Sequence, residues 1–398
     1  MRALCTEGTG MASELNILEI NTTNRRQVRQ FLDLPFRLYR DVPQWVPPLA
    51  PDARRMLDRR RNPFYRHSDA AFLLAVSGAA PVGRLAVLEN RNYNAHNHER
   101  TAFFYLFECE DDAAIATALF ETAFTWARER GLTHVFGPKG FTALDGMGLL
   151  VEGFEHRPAF GIPYNLPTYP ALVEAAGFEP VSDVLSGYLG GNTVFPEKIH
   201  QIAARVRERR GLRVMRFRRR RDLRALVPAL REMYNAAIED TPDNVPLTDA
   251  EVDAMAAQLL WFADPRLIKL VVAEEGAAQR AAQRGTERPV GFLFAYPDIS
   301  AAVQRCRGRF FPFGWLDMLL ELRRTPWLNL NGAAIIEEYR GLGGTAILFS
   351  EMQKSIVERG AQHLDLVQIG ADNARMQCEL RDLGVDFYKT HRMYRRAL

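Results

Sequence analysis

Residues 328–350, LNLNGAAIIEEYRGLGGTAILFS, constrain this chain more than any other stretch. An apolar run ending at Ile335 and Ile336 leads into two acids, Glu337 and Glu338. Arg340 and a glycine-rich segment follow, then an apolar segment free of proline. That order predicts a strand, a tight loop and a helix N-terminus. At a helix start the first backbone N–H groups lack an intrahelical acceptor and the peptide dipoles favour negative charge, which suits a phosphate. Gly341, Gly343 and Gly344 allow close backbone approach, and Arg340 adds a planar fork of donors. A glycine-rich strand-to-helix turn also arises for packing alone, so the loop by itself leaves both readings open.

At 398 residues the chain is long enough for two domains, each with its own core. Its 47% apolar and 25% charged residues are ordinary for a globular protein, and no run approaches the roughly 20 apolar residues of a membrane span. Residues 1–12 lack the apolar core of a secretory signal and read as a flexible leader, with Met11 an alternative start. The four cysteines are dispersed, which fits reduced thiols and a cytoplasmic setting. The eight histidines show no ligand spacing, so no metal is expected. Net charge is only +3, yet residues 205–224 hold eleven arginines among twenty positions. They form either a solvated surface or an attraction to anions: CoA phosphates, an acidic membrane face, or nucleic acid. Nucleic acid is disfavoured because no reader motif accompanies them.

Element order repeats along the chain. An apolar hairpin at 70–77 and 81–90 precedes a strand at 101–109, a helix at 113–130 and a strand at 133–137. Strands at 267–273, 290–296 and 328–336 and the loop, helix and strand after them reproduce that order. The prediction is an α/β fold with mixed sheets, built as two similar domains in tandem, 13–190 and 191–398, with a glycine-bearing junction at 187–195. Prolines 43, 47, 48 and 51 predict an irregular loop after a helix at 25–32, and a basic helix is expected at 54–61.

Arg340-Gly341-Leu342-Gly343 with the preceding Glu338 and Tyr339 resembles the R-x-x-G-x-G/A pyrophosphate loop of the GNAT acyl-CoA N-acyltransferases. Asn373, with Gly384 eleven residues on and then Phe387-Tyr388, is similar to that family's N-x(10)-G-F ending. The resemblance implies that Ile335 and Ile336 pair with the pantetheine arm of acyl-CoA. It also implies that Arg340, Gly341, Leu342, Gly343, Gly344 and Thr345 hold the pyrophosphate, with Asn373 in the cofactor set or, as an Asx side chain, capping the last helix. Two departures stand out: Thr345 replaces the last small residue of the loop, and Leu380 occupies the place of the tyrosine that protonates the departing thiolate in many members.

The first domain has no such loop. Glu110, Asp111 and Asp112 stand where a phosphate would sit, and like charge repels it. That domain is expected to shape the acceptor pocket. Its connection GPKGF, GLLVEGF and PYN between 137 and 165 is long enough to carry function, and resembles a bacterial group of tandem GNAT proteins, the ceramide synthases, that N-acylate sphingoid bases. The function so implied is long-chain acyl transfer from acyl-CoA to a lipid amine. Acetyl transfer to a soluble amine or peptide, and a non-catalytic acyl-CoA sensor, are the alternatives.

Amide formation from a thioester needs a neutral amine and a stabilised thiolate. Glu337, Asp145 and Glu152 are the candidate bases, with Glu337 and Glu338 expected to face opposite ways along a strand. Tyr388 and His391 are candidate acids. The aromatic block at 310–316 is either core or an apolar tunnel or interfacial patch, which with the arginines would suit a peripheral enzyme of the inner membrane face.

Overall fold

The β-branched and aromatic runs of the sequence form strands, and among the residues described they join one sheet. The computed structural model describes residues 14–142, 144–210, 212–217, 219–238, 244–273, 288–339 and 343–398. The expected leader at 1–12 and the loop residues Arg340, Gly341 and Leu342 lie outside them. The strands are β1 (Leu15–Glu19), β2 (Asp69–Ser77), β3 (Ala80–Glu89), β4 (Thr101–Cys109), β5 (His134–Gly137), β6 (Leu149–Glu152), β7 (Glu179–Gly190), β8 (Leu212–Met215), β9 (Ile268–Ala273), β10 (Arg288–Pro297), β11 (Trp327–Ile335), β12 (His363–Gly370) and β13 (Asp386–Ala397).

Their order is β1-β2-β3-β4-β5-β13-β7-β12-β11-β10-β9-β8, with β6 paired to β13. Each half supplies five strands in sequence order, antiparallel except for a parallel fourth and fifth pair, β4 with β5 and β11 with β12. The last strand of each half crosses over: β7 pairs with β12, β13 pairs with β5, and the two pair with each other. A split of the covalent chain at 190/191 therefore does not divide the sheet, and the expected junction at 187–195 begins inside β7.

Helices cover this sheet where the sequence period is helical. Ile115, Leu119, Phe120, Ala123, Phe124 and Ala127 of the helix Ala113–Arg128 fill the core of the first half. Ile347, Leu348, Met352 and Ile356 of the helix Gly344–Arg359 do so in the second. Two expectations need correction. The first helix runs from Arg25 to Leu38 and includes Pro35, well past 32. The second spans Ala50–Leu57 with Pro51 in its first turn, where the missing N–H costs no helix bond, so that proline starts a helix instead of excluding one.

A buried charge pair fixes the exchange. Lys389 of β13 reaches across β7 to Asp365 of β12 at 3.0 Å, with both residues 2% exposed, and Tyr388 donates to the same carboxylate oxygen at 2.9 Å. Truncating Lys389 leaves a carboxylate buried without its cation, a loss of about 3–5 kcal/mol. Lys389→Met is expected to lower unfolding free energy by that amount in urea titration, and adding Asp365→Leu is expected to recover part of it. An unchanged midpoint for Lys389→Met would show that the pair does not hold the strands.

Candidate active site

The parallel pair β11 and β12 separates part-way. Its ladder runs only from Trp327–His363 to Leu330–Leu366, while β11 stays paired to β10 as far as Ile335. Gly332 has φ 90° inside a bulge of β11, a left-handed conformation that favours glycine. On the other side Gln368 has φ 58° where β12 slips its register with β7. Beyond Leu330 the two strands form a V, and among the described residues no strand pairs with the β12-facing edge of β11 there. An extended ligand can add to such an edge through main-chain hydrogen bonds.

The helix Gly344–Arg359 starts beside that edge. Gly343 is its N-cap at φ 88° and, having no side chain, cannot cap the first-turn amides as an Asx or Ser residue would. A Cβ on Gly343 would come within 2.6 Å of Val206 Cγ2 on the helix Glu197–Arg210, and one on Gly344 within 2.8 Å of Ile335 Cδ1. The glycines thus serve close packing as well as an open helix start; Thr345 is half-buried behind them. The corresponding helix of the first half begins differently: the Asp112 carboxylate accepts from the Ala114 amide at 2.8 Å and fills the position a phosphate would need.

A cavity of about 500 Å³ lies between the halves and reaches Asn331 and Gly332 at the V. Its walls are apolar over most of their extent: Phe36, Trp45 and Leu49 from the first half, and Leu230, Met255 and Phe294 from the second. Burial raises the pKa of all three carboxylates in the wall, Asp52, Glu108 and Asp145, the last two most strongly. Burial pushes Asp145 up to about 6 against the backbone N–H groups of Phe141 and Thr142, which donate to its Oδ2. Burial likewise pushes Glu108 up to about 7, held back by Arg84 and by the hydroxyls of Tyr39 and Tyr169, both of which donate to its Oε2.

The other candidates lie elsewhere. Glu337 and Glu338 are exposed in the 3-10 turn Glu337–Tyr339 and not in the extended strand expected, so the alternation argument does not apply to them. Glu152 is exposed and accepts from the Thr390 hydroxyl. Tyr388 is committed to Asp365, and burial followed by that carboxylate raises its pKa. His391 is 1% exposed, with Nε2 3.0 Å from the Pro163 carbonyl. Asn373 caps the helix Ala374–Asp382 by accepting from the Met376 amide. Leu380 is buried in the core of the second half, and Ile335 and Ile336 are backbone-paired to β10 through Gly291 and Val290. Of the five catalytic candidates, Asp145 is the one in the cavity wall.

Sequence reasoning missed the second half's contribution to that wall. Leu223, Val227, Leu230 and Tyr234, then Val252, Met255, Ala256 and Leu259, recur at helical spacing and line it. Tyr296, on β10 beside the V, also lines it and donates to the Phe160 carbonyl.

No protein-family model matches the chain. A tandem GNAT protein from the clavulanic acid biosynthesis pathway superposes with a TM-score of 0.54 at 14% identity, over 96% of this chain and 98% of that one. The chain has the tandem GNAT fold. Two relatives are similar over nearly full length. The bacterial ceramide synthase of Caulobacter vibrioides is 27% identical over 398 aligned residues, covering 97% of this chain and 98% of that protein. The protein YghO of Escherichia coli is 25% identical over 382 residues, covering 94% of each.

His391 gives a test of the buried end of β13. Burial holds its pKa down to about 4, and the nearby Lys389 adds to this against the Pro163 hydrogen bond. Unfolded histidine titrates near 6.5. Its contribution to stability is therefore complete above about 6.5 and is lost as pH falls towards 4, because the unfolded state takes up the proton first. His391→Gln, which can still donate to Pro163, is expected to flatten the fall in melting temperature between pH 6.5 and 4. An identical acid profile would contradict this.

Proposed function

We propose that this protein is an acyl-CoA-dependent N-acyltransferase that transfers a long-chain acyl group to a lipid amine resembling a sphingoid base. The observation that carries the reading is the apolar cavity of about 500 Å³ ending at Gly332 in the V. Acetyl transfer to a soluble amine needs no such volume, whereas an alkyl chain gains about 0.8 kcal/mol for each CH₂ buried there. The full-length similarity to a protein named bacterial ceramide synthase supports the same substrate class.

In this reading the pantetheine arm adds to the free edge of β11, and the pyrophosphate meets the uncapped start of the helix Gly344–Arg359, with Arg340 to Thr345 as its loop. The amine nitrogen attacks the thioester carbonyl, the C–N bond forms, and the C–S bond breaks to release CoA. Asp145 takes the role of base: with a pKa near 6 it is ionised at neutral pH and accepts the ammonium proton directly or through water. Tyr296, beside the V, is the phenol assigned to stabilise the thiolate in place of Leu380, which has no proton to give; its hydroxyl turns from the Phe160 carbonyl to do so.

Palmitoyl-CoA is expected to raise the melting temperature more than acetyl-CoA at equal concentration. CoA thiol should be released when a sphingoid base is added. Ala256→Phe, which narrows the cavity, is expected to reduce long-chain turnover about tenfold or more and leave the acetyl-CoA shift unchanged. Asp145→Asn should lower kcat about 10²-fold. A thermal shift without CoA release on any amine would leave an acyl-CoA sensor, and no shift with either thioester would remove the proposal.

A further inference from the structure

Nine large hydrophobic residues are strongly exposed among those described, and five of them fall within nine positions: Phe311, Phe313, Trp315, Leu316 and Leu319. Phe311 and Phe313 are 83% and 73% exposed, and it is their grouping with Trp315, Leu316 and Leu319 that marks an interaction surface. The helix Gly314–Arg324 carries apolar residues on its outer side as well as its inner side, beside Asp317, Glu321, Arg323 and Arg324. Met318 and Leu322 pack inward on Ile299 and Val303, while Trp315, Leu316 and Leu319 point outward at the spacing of one helical stripe. Arg305 holds this helix to its neighbour Ser300–Cys306 through Asp317 at 2.8 Å and Glu321 at 2.6 Å, so the stripe is displayed on a braced pair of helices.

The rim of the patch is cationic. Arg307, Arg309, Arg323 and Arg324 are exposed, and Arg307 lies over the Phe36 ring at 5.2 Å. The two acids of the region, Asp317 and Glu321, are both taken by Arg305. Aromatic side chains ringed by arginine suit the boundary of an anionic bilayer, with rings in the acyl region and guanidinium groups among the headgroups. A second copy of the chain is a poorer occupant, because a two-fold contact would set these arginines against themselves. No described helix is long and apolar enough to cross a membrane.

The patch adjoins the cavity. The Gln304 side chain donates to the carbonyls of Pro43 and Trp45, and the Ala50 amide donates to the Gly308 carbonyl. The segment so gripped supplies Trp45, Val46, Pro47 and Leu49 to the cavity wall.

We infer that this face docks the protein on an anionic lipid surface, with Phe311, Phe313, Trp315 and Leu319 inserted and Arg307, Arg309, Arg323 and Arg324 against the headgroups. Docking sets the cavity wall at the bilayer, so that an amphipathic amine enters without crossing water. That loading step rests on the lipid-amine reading above; adsorption does not.

Flotation with vesicles of phosphatidylcholine containing phosphatidylglycerol, without substrate, tests adsorption separately from catalysis. The wild-type chain is expected to float with them and to bind pure phosphatidylcholine at least about tenfold less. Phe311→Ser with Phe313→Ser is expected to cut the bound fraction about tenfold or more, and Arg309→Glu with Arg323→Glu to abolish the preference for anionic vesicles. Both variants should keep the wild-type melting temperature and CoA release on detergent-dispersed amine. Equal flotation of the serine variant, or no flotation of the wild type, overturns the inference. So does a wild-type dimer in light scattering that the serine variant converts to monomer. Loss of CoA release with flotation intact would instead count against the transferase reading alone.

Discussion

The exchange of the last strand of each half is the constraint on which the remainder depends. Because β13 sits between β5 and β7, and β7 between β13 and β12, neither half completes its sheet without the other. The crossing cores are apolar, but the register is marked by a polar cluster: Asp365 binds Tyr388 and Lys389, and Asp298 alongside it accepts from Asn329 and from the Phe160 and Ser300 amides. Buried polar groups penalise any slip that leaves them unpaired. The cluster lies on the two strands whose separation forms the V, since Asn329 and Asp365 face one another in its last paired stretch.

Joined in this way, two copies of one design diverge by charge. Both have a fourth strand with a left-handed residue at the same distance from its start, Leu106 in β4 and Gly332 in β11. Both place a helix after it. In the first half three consecutive acids, the last of them the Asp112 cap, close the helix start to an anion. In the second the start is glycine, uncapped, and next to a helix bearing exposed arginines 205 and 209. The first half instead gives its strand ends and its long connection to the cavity, through Tyr105, Glu108, Asp145 and Ile162. In the proposed reading one half offers an anion site and the other a wall.

Much of this is legible in the sequence because it is local. Periodicity marks β2, β3, β4 and the helix Ala113–Arg128, and loop chemistry marks the N-terminus at Gly343. The exchange is not legible, since β7 and β13 read as ordinary strands whichever sheet they join, and pairing partners leave no trace in a strand's own alternation. Glu337 looks like a strand residue until the chain is seen to tighten into a 3-10 turn after Ile336. His391 and Tyr388 look like free titratable groups because burial by the segment 148–163 is a tertiary fact; Gly148 lies directly against His391, where a Cβ would come within 2.8 Å of its own. Asp145 was visible as an acid in a long loop, though its place in the cavity depends on the Phe141 and Thr142 amides that turn it inward. The helices Val227–Ile238 and Asp249–Leu260 carry a readable apolar stripe, but what that stripe faces is decided by the other half.

The central claim is that an acyl-CoA occupies the V and extends into the cavity. Amide hydrogen exchange with a non-hydrolysable palmitoyl-CoA analogue tests it most directly. Added protection is expected at 331–336 and in the first turn of the helix Gly344–Arg359, and also in the cavity helices Val227–Ile238 and Asp249–Leu260. An acetyl-CoA analogue should protect the first two regions and leave the cavity helices unchanged. Protection absent from 331–336 with both ligands would contradict the account.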